Sequence, residues 1–271
     1  LPRNPILLVV GVQHSGTTIL DAALGVSPQI VGVGEALRLT SGVKVGKLQG
    51  AKGRQRLCTC GAAAEACPLW SQLLDHLPED GDVRRHFPRV DAAARALSPE
   101  ARYVLDSSPD GWRHLDALRD YDVRLIQITR DVRSWVASRR KSEGDNLVSA
   151  HLTWLRGVRT LDAAVSRSGL PRFRLGYEEL AMRPRETLGK LCDWIGVPFD
   201  PAMLTPFGKT RSHIVTGNSA IRRPHLAASI RYDGSWMADM DWPIASGLLY
   251  GACARTNRRL VYGNDVLKRR V

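Results

Sequence analysis

The sequence predicts an α/β fold in which a central parallel sheet is flanked by helices, and three observations carry this. Residues 5–10, PILLVV, form an unbroken apolar run; GVQHSGTT then makes a glycine-bounded turn into a helical pattern; and strand-like runs alternate with helical segments thereafter. A run of Ile, Leu and Val that does not alternate suits a strand covered on both faces, as in parallel sheets. The β, α, β alternation implies parallel order.

The elements follow in order. Ile19, Leu20, Ala23 and Leu24 recur at helical spacing, so Ser15 to Thr18 fall where a helix begins and leaves N–H groups unpaired. SPQ is a turn, IVGVG a short extended piece, and a helix starts near Glu35. Residues 40–60 are rich in Gly, Lys and Arg without apolar periodicity and read as a loop or insertion. CPLWSQLLDHL is amphipathic, and VRRHFPRVDAAARAL is a helical pattern broken at Pro88. RYVLDSS (102–108) is a strand ending in Asp106, GWRHLDALRDY a short helix, and VRLIQIT (123–129) the next strand. Two helices follow, DVRSWVASRRKS and a long one with a glycine stop; then strand RFRL and a helical pair with Pro184 at a helix start. Beyond Pro198 the pattern loosens before a last helix, WPIASGLLYGACARTNRRLVYG. The expected organisation is one domain over 1–271, with an insertion at 36–100 and a covering loop at 205–240.

At 271 residues, 44% hydrophobic and with seven Trp, the chain can bury a full core. Its net charge of +12 favours anionic partners such as nucleotides, nucleic acid, sulfated glycans or acidic lipid, without choosing among them. The apolar run is too short to span a membrane and no small-residue cleavage site follows, so neither a signal peptide nor a transmembrane helix is expected. Five cysteines, an odd number without a repeating framework, suit a reducing, cytoplasmic compartment. The chain begins at Leu1 rather than Met, which leaves an upstream segment open.

GVQHSGTT is G-x-x-x-x-G-T-T, one residue from the triphosphate-binding P-loop, which has Lys where this chain has Thr17. That lysine neutralises β and γ phosphates in phosphoryl transfer; glycines, hydroxyls and a helix start alone hold a less charged phosphate-like group. A plain strand, turn and helix with a chance Gly-Thr start explains the loop equally well. Open parallel sheets bind ligands at the carboxyl ends of their strands, which places GVQHSGTT, Asp106 to Ser108 and Thr129 to Ser138 on one rim.

In combination these segments resemble the sulfotransferases that use 3′-phosphoadenosine 5′-phosphosulfate (PAPS), nearest to their bacterial and carbohydrate or tyrosylprotein branches. His14, Ser15, Gly16, Thr17 and Thr18 match the 5′-phosphosulfate motif, a basic residue followed by S-G-T-T. ITRDVRSWVAS resembles the 3′-phosphate motif, which puts Arg130 and Ser138 on that phosphate. LGYEEL resembles Y-E-D-L and sets Tyr177 near the adenine, DSS at 106–108 resembles a bacterial segment, and SHIVTGNSAIRR resembles a late loop that offers Arg222 and Arg223. The resemblance implies a P-loop-like three-layer fold and transfer of a sulfuryl group from PAPS to a hydroxyl of a small molecule or glycan. The product is 3′-phosphoadenosine 5′-phosphate (PAP), with no metal required and no nucleic-acid partner. A P-loop nucleotide kinase with a degenerate loop, or a non-catalytic polyanion-binding module, is the alternative.

For the general base the resemblance points to Glu35, since a Glu follows the phosphate-loop helix at similar distance in some branches; an acid in a helix's first turn is the ordinary alternative. His14 replaces the usual Lys or Arg and is a donor to the bridging oxygen, a base, or a loop residue with a structural hydrogen bond. Pro109 stands where many bacterial relatives have Lys, so Arg113 or Arg223 is expected to supply that charge. Spacing adds a check on Ser138: eight residues along a helix advance about 12 Å and turn roughly 80° beyond two full turns, so Ser134 is the nearer partner of Arg130 and Ser138 rests on the family. Arg130 alternatively pairs with Asp131 or Asp106, and Tyr177 alternatively packs. Cys58, Cys60 and Cys67 lack an evident fourth ligand, which argues against structural zinc; free thiols packed under Trp70 are expected, or a bridge from Cys58 or Cys60 to Cys67 under oxidising conditions.

Overall fold

The structure, a computed structural model, describes residues 4–43, 46–78, 80–217, 229–232, 234–237 and 244–267. Five parallel strands form one sheet: β1 (Pro5–Val10), β2 (Ile30–Gly32), β3 (Tyr103–Asp106), β4 (Asp122–Thr129) and β5 (Arg172–Gly176), in the order β2-β3-β1-β4-β5. β1 lies between β3 and β4, with Leu8 opposite Asp106 on one side and Val10 opposite Gln127 on the other. The chain builds outward from β1 in both directions, so the loop leaving β1 opens at a switch in strand order, where ligands bind open α/β sheets.

Its apolar run is explained by what covers it. Ile6, Leu8 and Val10 join one core cluster and Leu7 and Val9 another, all at 0% exposure. Successive strand side chains point to opposite faces, so a strand sandwiched on both sides has no polar position to alternate with. The Leu7 face is packed by Leu20 and Leu24 of α1 (Thr17–Leu24) and by Leu188 and Leu191 of the later helix Pro184–Ile195. The Leu8 face is packed by Leu37 of α2 (Ala36–Thr40) and by the 46–97 segment, with Trp70 and Phe87 fully buried. That segment opens with two single turns, α3 (Gly46–Gln49) and α4 (Ala51–Arg54).

Two expectations change here. Leu69–Leu77 is amphipathic but forms two 3₁₀ turns, Trp70–Gln72 and Leu74–His76, rather than a helix; each residue of the apolar set still reaches the core. α5 (Val83–Leu97) runs unbroken through Pro88. Val83, Phe87, Val90 and Ala94 are buried at helical spacing, whereas Pro88 is exposed. The Arg84 carbonyl that loses its donor therefore faces water, which satisfies it, and packing of the buried stripe holds the helix together.

The remaining helices are α6 (Val132–Glu143), α7 (Leu147–Arg167), α8 (Tyr177–Met182), α9 (Pro184–Ile195) and α10 (Ile244–Asn257). α6 ends at Gly144 (φ 72°) and α9 at Gly196 (φ 81°), both left-handed stops that favour glycine. Trp135 of α6, Trp154 of α7 and Cys253 of α10 share a third buried cluster.

A buried polar bracket joins α1 to the end of β3. Ser107 Oγ donates to Asp21 Oδ2 at 2.6 Å, and Asp106 accepts from the N–H groups of Leu37 and Ser108 at 2.8 Å each. Burial pushes both carboxyls from 3.8 up to about 7, against these hydrogen bonds, which pull the other way.

Two measurements follow. Pro88→Ala restores the donor to Arg84 and is expected to raise stability by about 1 kcal/mol in urea unfolding; a fall would show that the proline is built into the helix. Between about pH 4 and 7 the folded chain keeps the protons of Asp21 and Asp106 that the unfolded chain releases, so stability falls as pH rises through that window. Asp21→Asn is expected to flatten the slope, and an unchanged pH profile would contradict these two carboxyls as its source.

Candidate functional site

The loop leaving β1 is closed by backbone contacts: Gly11 N donates to Pro109 O at 3.1 Å and Ser15 N to Val12 O at 3.1 Å. His14 takes φ 68° and Gly16 φ 94°, a pair of left-handed residues that aims the chain into α1. Gly16 opens α1 with no side-chain cap, so the helix's first N–H groups face the rim. Ser15 Oγ is buried and has no hydrogen-bond partner among the described residues. An uncapped helix start beside an unpartnered buried hydroxyl is a donor set awaiting an oxyanion.

A glycine is required at position 16 for a second reason. A Cβ there would lie 2.7 Å from Tyr177 Cδ2, so the tyrosine ring packs directly on the loop backbone. Arg130, at the end of β4, lies over the same ring at 4.5 Å from its centroid. Its Nε donates to Ser134 Oγ at 3.0 Å and its Nη1 to the His14 carbonyl at 3.2 Å. Among the described residues its partners are thus neutral: a hydroxyl, a carbonyl and an aromatic face. The guanidinium is only 9% exposed and makes no hydrogen bond to a carboxylate among the described residues; Glu178 acts on it through Ser134 and by charge attraction. Neither Asp131 nor Asp106 takes the role of its ion-pair partner: Asp131 pairs with Arg133 at 2.9 Å, and Asp106 serves the bracket above.

Residues not singled out from the sequence hold this arrangement. Glu178, next to Tyr177, accepts from the N–H of Asp131 at 3.1 Å and from Ser134 Oγ at 3.1 Å, so it anchors the start of α6 and the hydroxyl that orients Arg130. Burial, with Asp131 nearby, pushes its carboxyl up to about 7. Trp154 Nε1 donates to the Arg130 carbonyl at 3.0 Å and Trp135 Nε1 to the Gln13 carbonyl. The LGYEEL segment was the one visible signal for Glu178; the two tryptophans read only as core.

Glu35, the residue before α2, is 5% exposed. Its Oε2 accepts from Arg38 Nη1 at 3.2 Å, and Arg38 also pairs with Asp110 at 3.2 Å. The DSS segment fixes that end: Asp106 accepts from Leu37 N, and Ser108 Oγ accepts from Arg38 N at 3.3 Å. Gly217, at φ 79°, is the contact point between Glu35 and the phosphate loop, since a Cβ on it would lie 2.9 Å from Thr18 Oγ1 and 3.2 Å from Glu35 Oε1. Arg38 is the buried cation on this side. Arg113 instead stacks on Trp112 at 4.5 Å.

The structure therefore brings Ser15, Gly16, Thr17, Thr18, Arg130, Tyr177 and Glu35 to one rim. His14 contributes its carbonyl there, while its Nε2 reaches sideways to Glu143 Oε1 at 3.0 Å. Ser138 is half-buried one turn beyond Ser134 on α6, and Ser134 makes the contact with Arg130. Arg222 and Arg223 lie outside the described residues, as does the whole 218–228 stretch. No described helix is long and apolar enough to cross a membrane.

The cysteines are free, as expected, but the fold supplies a neighbour that the sequence did not show: His213 lies beside Cys58, Cys60 and Cys67, with all four donor atoms within 4.8 Å of one another. The stretch does sit against Trp70, whose Nε1 donates to the His213 carbonyl at 2.7 Å.

Comparison with known proteins agrees with this fold. A search of curated protein sequences returns no match. The sulfotransferase domain of the olefin synthase of Synechococcus PCC 7002 superposes with a TM-score of 0.59 at 20% identity, over 93% of this chain and 95% of that one. The sulfotransferase domain from the curacin biosynthetic pathway gives 0.61 at 17% identity, over 94% and 98%. At these identities the likeness is one of fold. The model of the sulfotransferase family matches residues 5–201, which hold the phosphate loop, Glu35, Arg130 and Tyr177, and the chain belongs to that family.

Proposed function

We propose that the protein is a PAPS-dependent sulfotransferase acting on a hydroxyl of a small molecule or glycan. The observation that carries this reading is the pairing of a lysine-free phosphate loop with a buried, neutrally partnered Arg130, joined through the Tyr177 ring between them. A nucleotide with phosphate groups at both ends of its ribose suits such a pair; a triphosphate lacks its lysine.

When bound, PAPS supplies the sulfuryl group and departs as PAP. The α1 start with Ser15, Thr17 and Thr18 holds the 5′-phosphate, and the orphaned Ser15 hydroxyl fits that role. Arg130 holds the 3′-phosphate, with Ser138, Arg222 and Arg223 as further partners by family resemblance, and Tyr177 takes the adenine side. Catalysis then rests on positioning and on donors aimed at developing charge. Glu35 is the base: a carboxylate held by Arg38 and lying across Gly217 from Thr18 stands at the edge of the phosphate loop, where an acceptor hydroxyl must lose its proton. His14 is the departure from the family's Lys or Arg, and it donates to the bridging oxygen once its imidazole leaves Glu143.

Calorimetry separates this from the kinase reading: PAP is expected to bind and ATP to bind at least tenfold more weakly, and the reverse order would overturn the assignment. A mass-shift screen of host metabolites with PAPS should reveal an acceptor gaining one sulfuryl group. With that acceptor, Glu35→Gln is expected to leave PAP affinity within about twofold and to lower kcat by roughly 10²–10⁴. Unchanged turnover would remove Glu35 as the base.

A further inference from the structure

Cys58 and Cys60 sit on a small hairpin knuckle. Cys58 N donates to Ala62 O at 2.8 Å, Gly61 N donates to Cys58 O at 3.0 Å, and Leu57 bridges Ala63 in antiparallel fashion. Gly61 turns the chain at φ 90° in open space. Cys67 follows the short turn Ala64–Ala66 and bends back toward the knuckle.

His213 arrives from the other end of the sequence, and Thr59 fixes its approach. Thr59 N donates to Ile214 O at 3.2 Å, Thr59 Oγ1 accepts from Ile214 N at 2.9 Å and donates to the Ser212 carbonyl. His213 N donates to Gly32 O at 2.8 Å at the end of β2. Backbone contacts on both flanks thus set the imidazole against the thiols without help from any side chain of the cluster.

The four donor atoms all lie within 4.8 Å of one another. Cys58 Sγ and Cys67 Sγ are 3.6 Å apart, and His213 Nδ1 lies 3.2 Å from Cys67 Sγ and 4.0 Å from Cys58 Sγ. A tetrahedral zinc with Zn–S of about 2.3 Å and Zn–N of about 2.0 Å requires S···S edges of about 3.8 Å and S···N edges of about 3.5 Å. A single disulfide would use two thiols and leave the third thiol and the imidazole gathered for no purpose. Cys58 and Cys67 are buried, while Cys60 is exposed and leaves an entry side.

We propose that Cys58, Cys60, Cys67 and His213 form a structural Cys₃His zinc site. Three soft thiolates and an imidazole are a donor set that suits zinc, and four protein ligands would leave no open position for catalysis. Its place in the fold gives it a role. The ion ties the 57–67 knuckle to the 212–214 segment, and four residues after His213 the chain reaches Gly217, wedged between Thr18 and Glu35. The zinc pins the insertion and the segment that crosses the phosphate loop to one point. This site is independent of the donor assignment, because metal content is read without turnover.

The test uses the untagged protein purified under reducing conditions. Elemental analysis should find about one zinc per chain, and cobalt exchange should give the visible spectrum of a tetrahedral thiolate site. His213→Ala and the exposed-ligand variant Cys60→Ser should each yield the metal to a competing chelator more readily, by more than the roughly 10-fold to 100-fold that loss of an outer partner costs. The proposal is overturned if the wild-type protein, with its thiols reduced, takes up neither zinc nor cobalt. It is equally overturned by a Cys58–Cys67 disulfide in freshly isolated protein, by iron in place of zinc, or by a cobalt spectrum unaltered in His213→Ala.

Discussion

The site depends on one close approach: the Tyr177 ring lies on the backbone of Gly16, and Arg130 lies on the ring. Three strand ends meet in that stack, since Gly16 follows β1, Arg130 follows β4 and Tyr177 follows β5. The parallel register makes it possible, because Thr129 lies opposite Gly176 and so the residues after each strand arrive together. A side chain at position 16 would push the ring away and separate the phosphate loop from the guanidinium. Behind the stack, Glu178 and Ser134 hold Arg130 from the α6 side, and the His14 carbonyl holds it from the loop side. Among the described residues Arg130 thus donates directly only to a hydroxyl and a carbonyl, with the Glu178 carboxyl one hydroxyl away.

The opposite wall is built by different means. Asp21, Ser107 and Asp106 form a buried hydrogen-bonded bracket that joins α1, β3 and the start of α2. Glu35 inherits its place from that bracket, since the residues on either side of it are fixed by Asp106 and by the turn at Gly34 (φ 62°). Burial of two carboxyls in one bracket costs stability at neutral pH, and the cost falls on the elements that carry Glu35 and the phosphate loop. Rigidity at the rim is thus maintained where the interior is least favourable.

The sheet was legible because β1 and β3 are covered on both faces and show as short apolar runs, while the edge strand β5 alternates Arg172 and Arg174 with the buried Phe173 and Leu175; the rim was legible because parallel strands end together. The phosphate loop, Arg130 and Tyr177 could be named from local motifs. Contacts that depend on distant chain segments were not legible. His213 lies far along the sequence from Cys67, and nothing near either residue announces the other; only the clasp of Thr59 on the 212–214 segment brings them together. Pro88 misled for the opposite reason, because a local rule was overruled by the burial of Phe87 and Val90 on the far side of the helix. Spacing favoured Ser134 over Ser138 as the neighbour of Arg130, and Ser134 is the residue in contact.

We propose that Arg130, held on the Tyr177 ring, is the receptor for the second phosphate of the nucleotide. Calorimetric affinities for PAP and for adenosine 5′-phosphate, measured for the wild-type protein and Arg130→Ala, test it most directly. The claim predicts that the wild type prefers PAP by about tenfold or more and that the preference collapses in the variant, with adenosine 5′-phosphate affinity nearly unchanged. A preference that survives the substitution would contradict it.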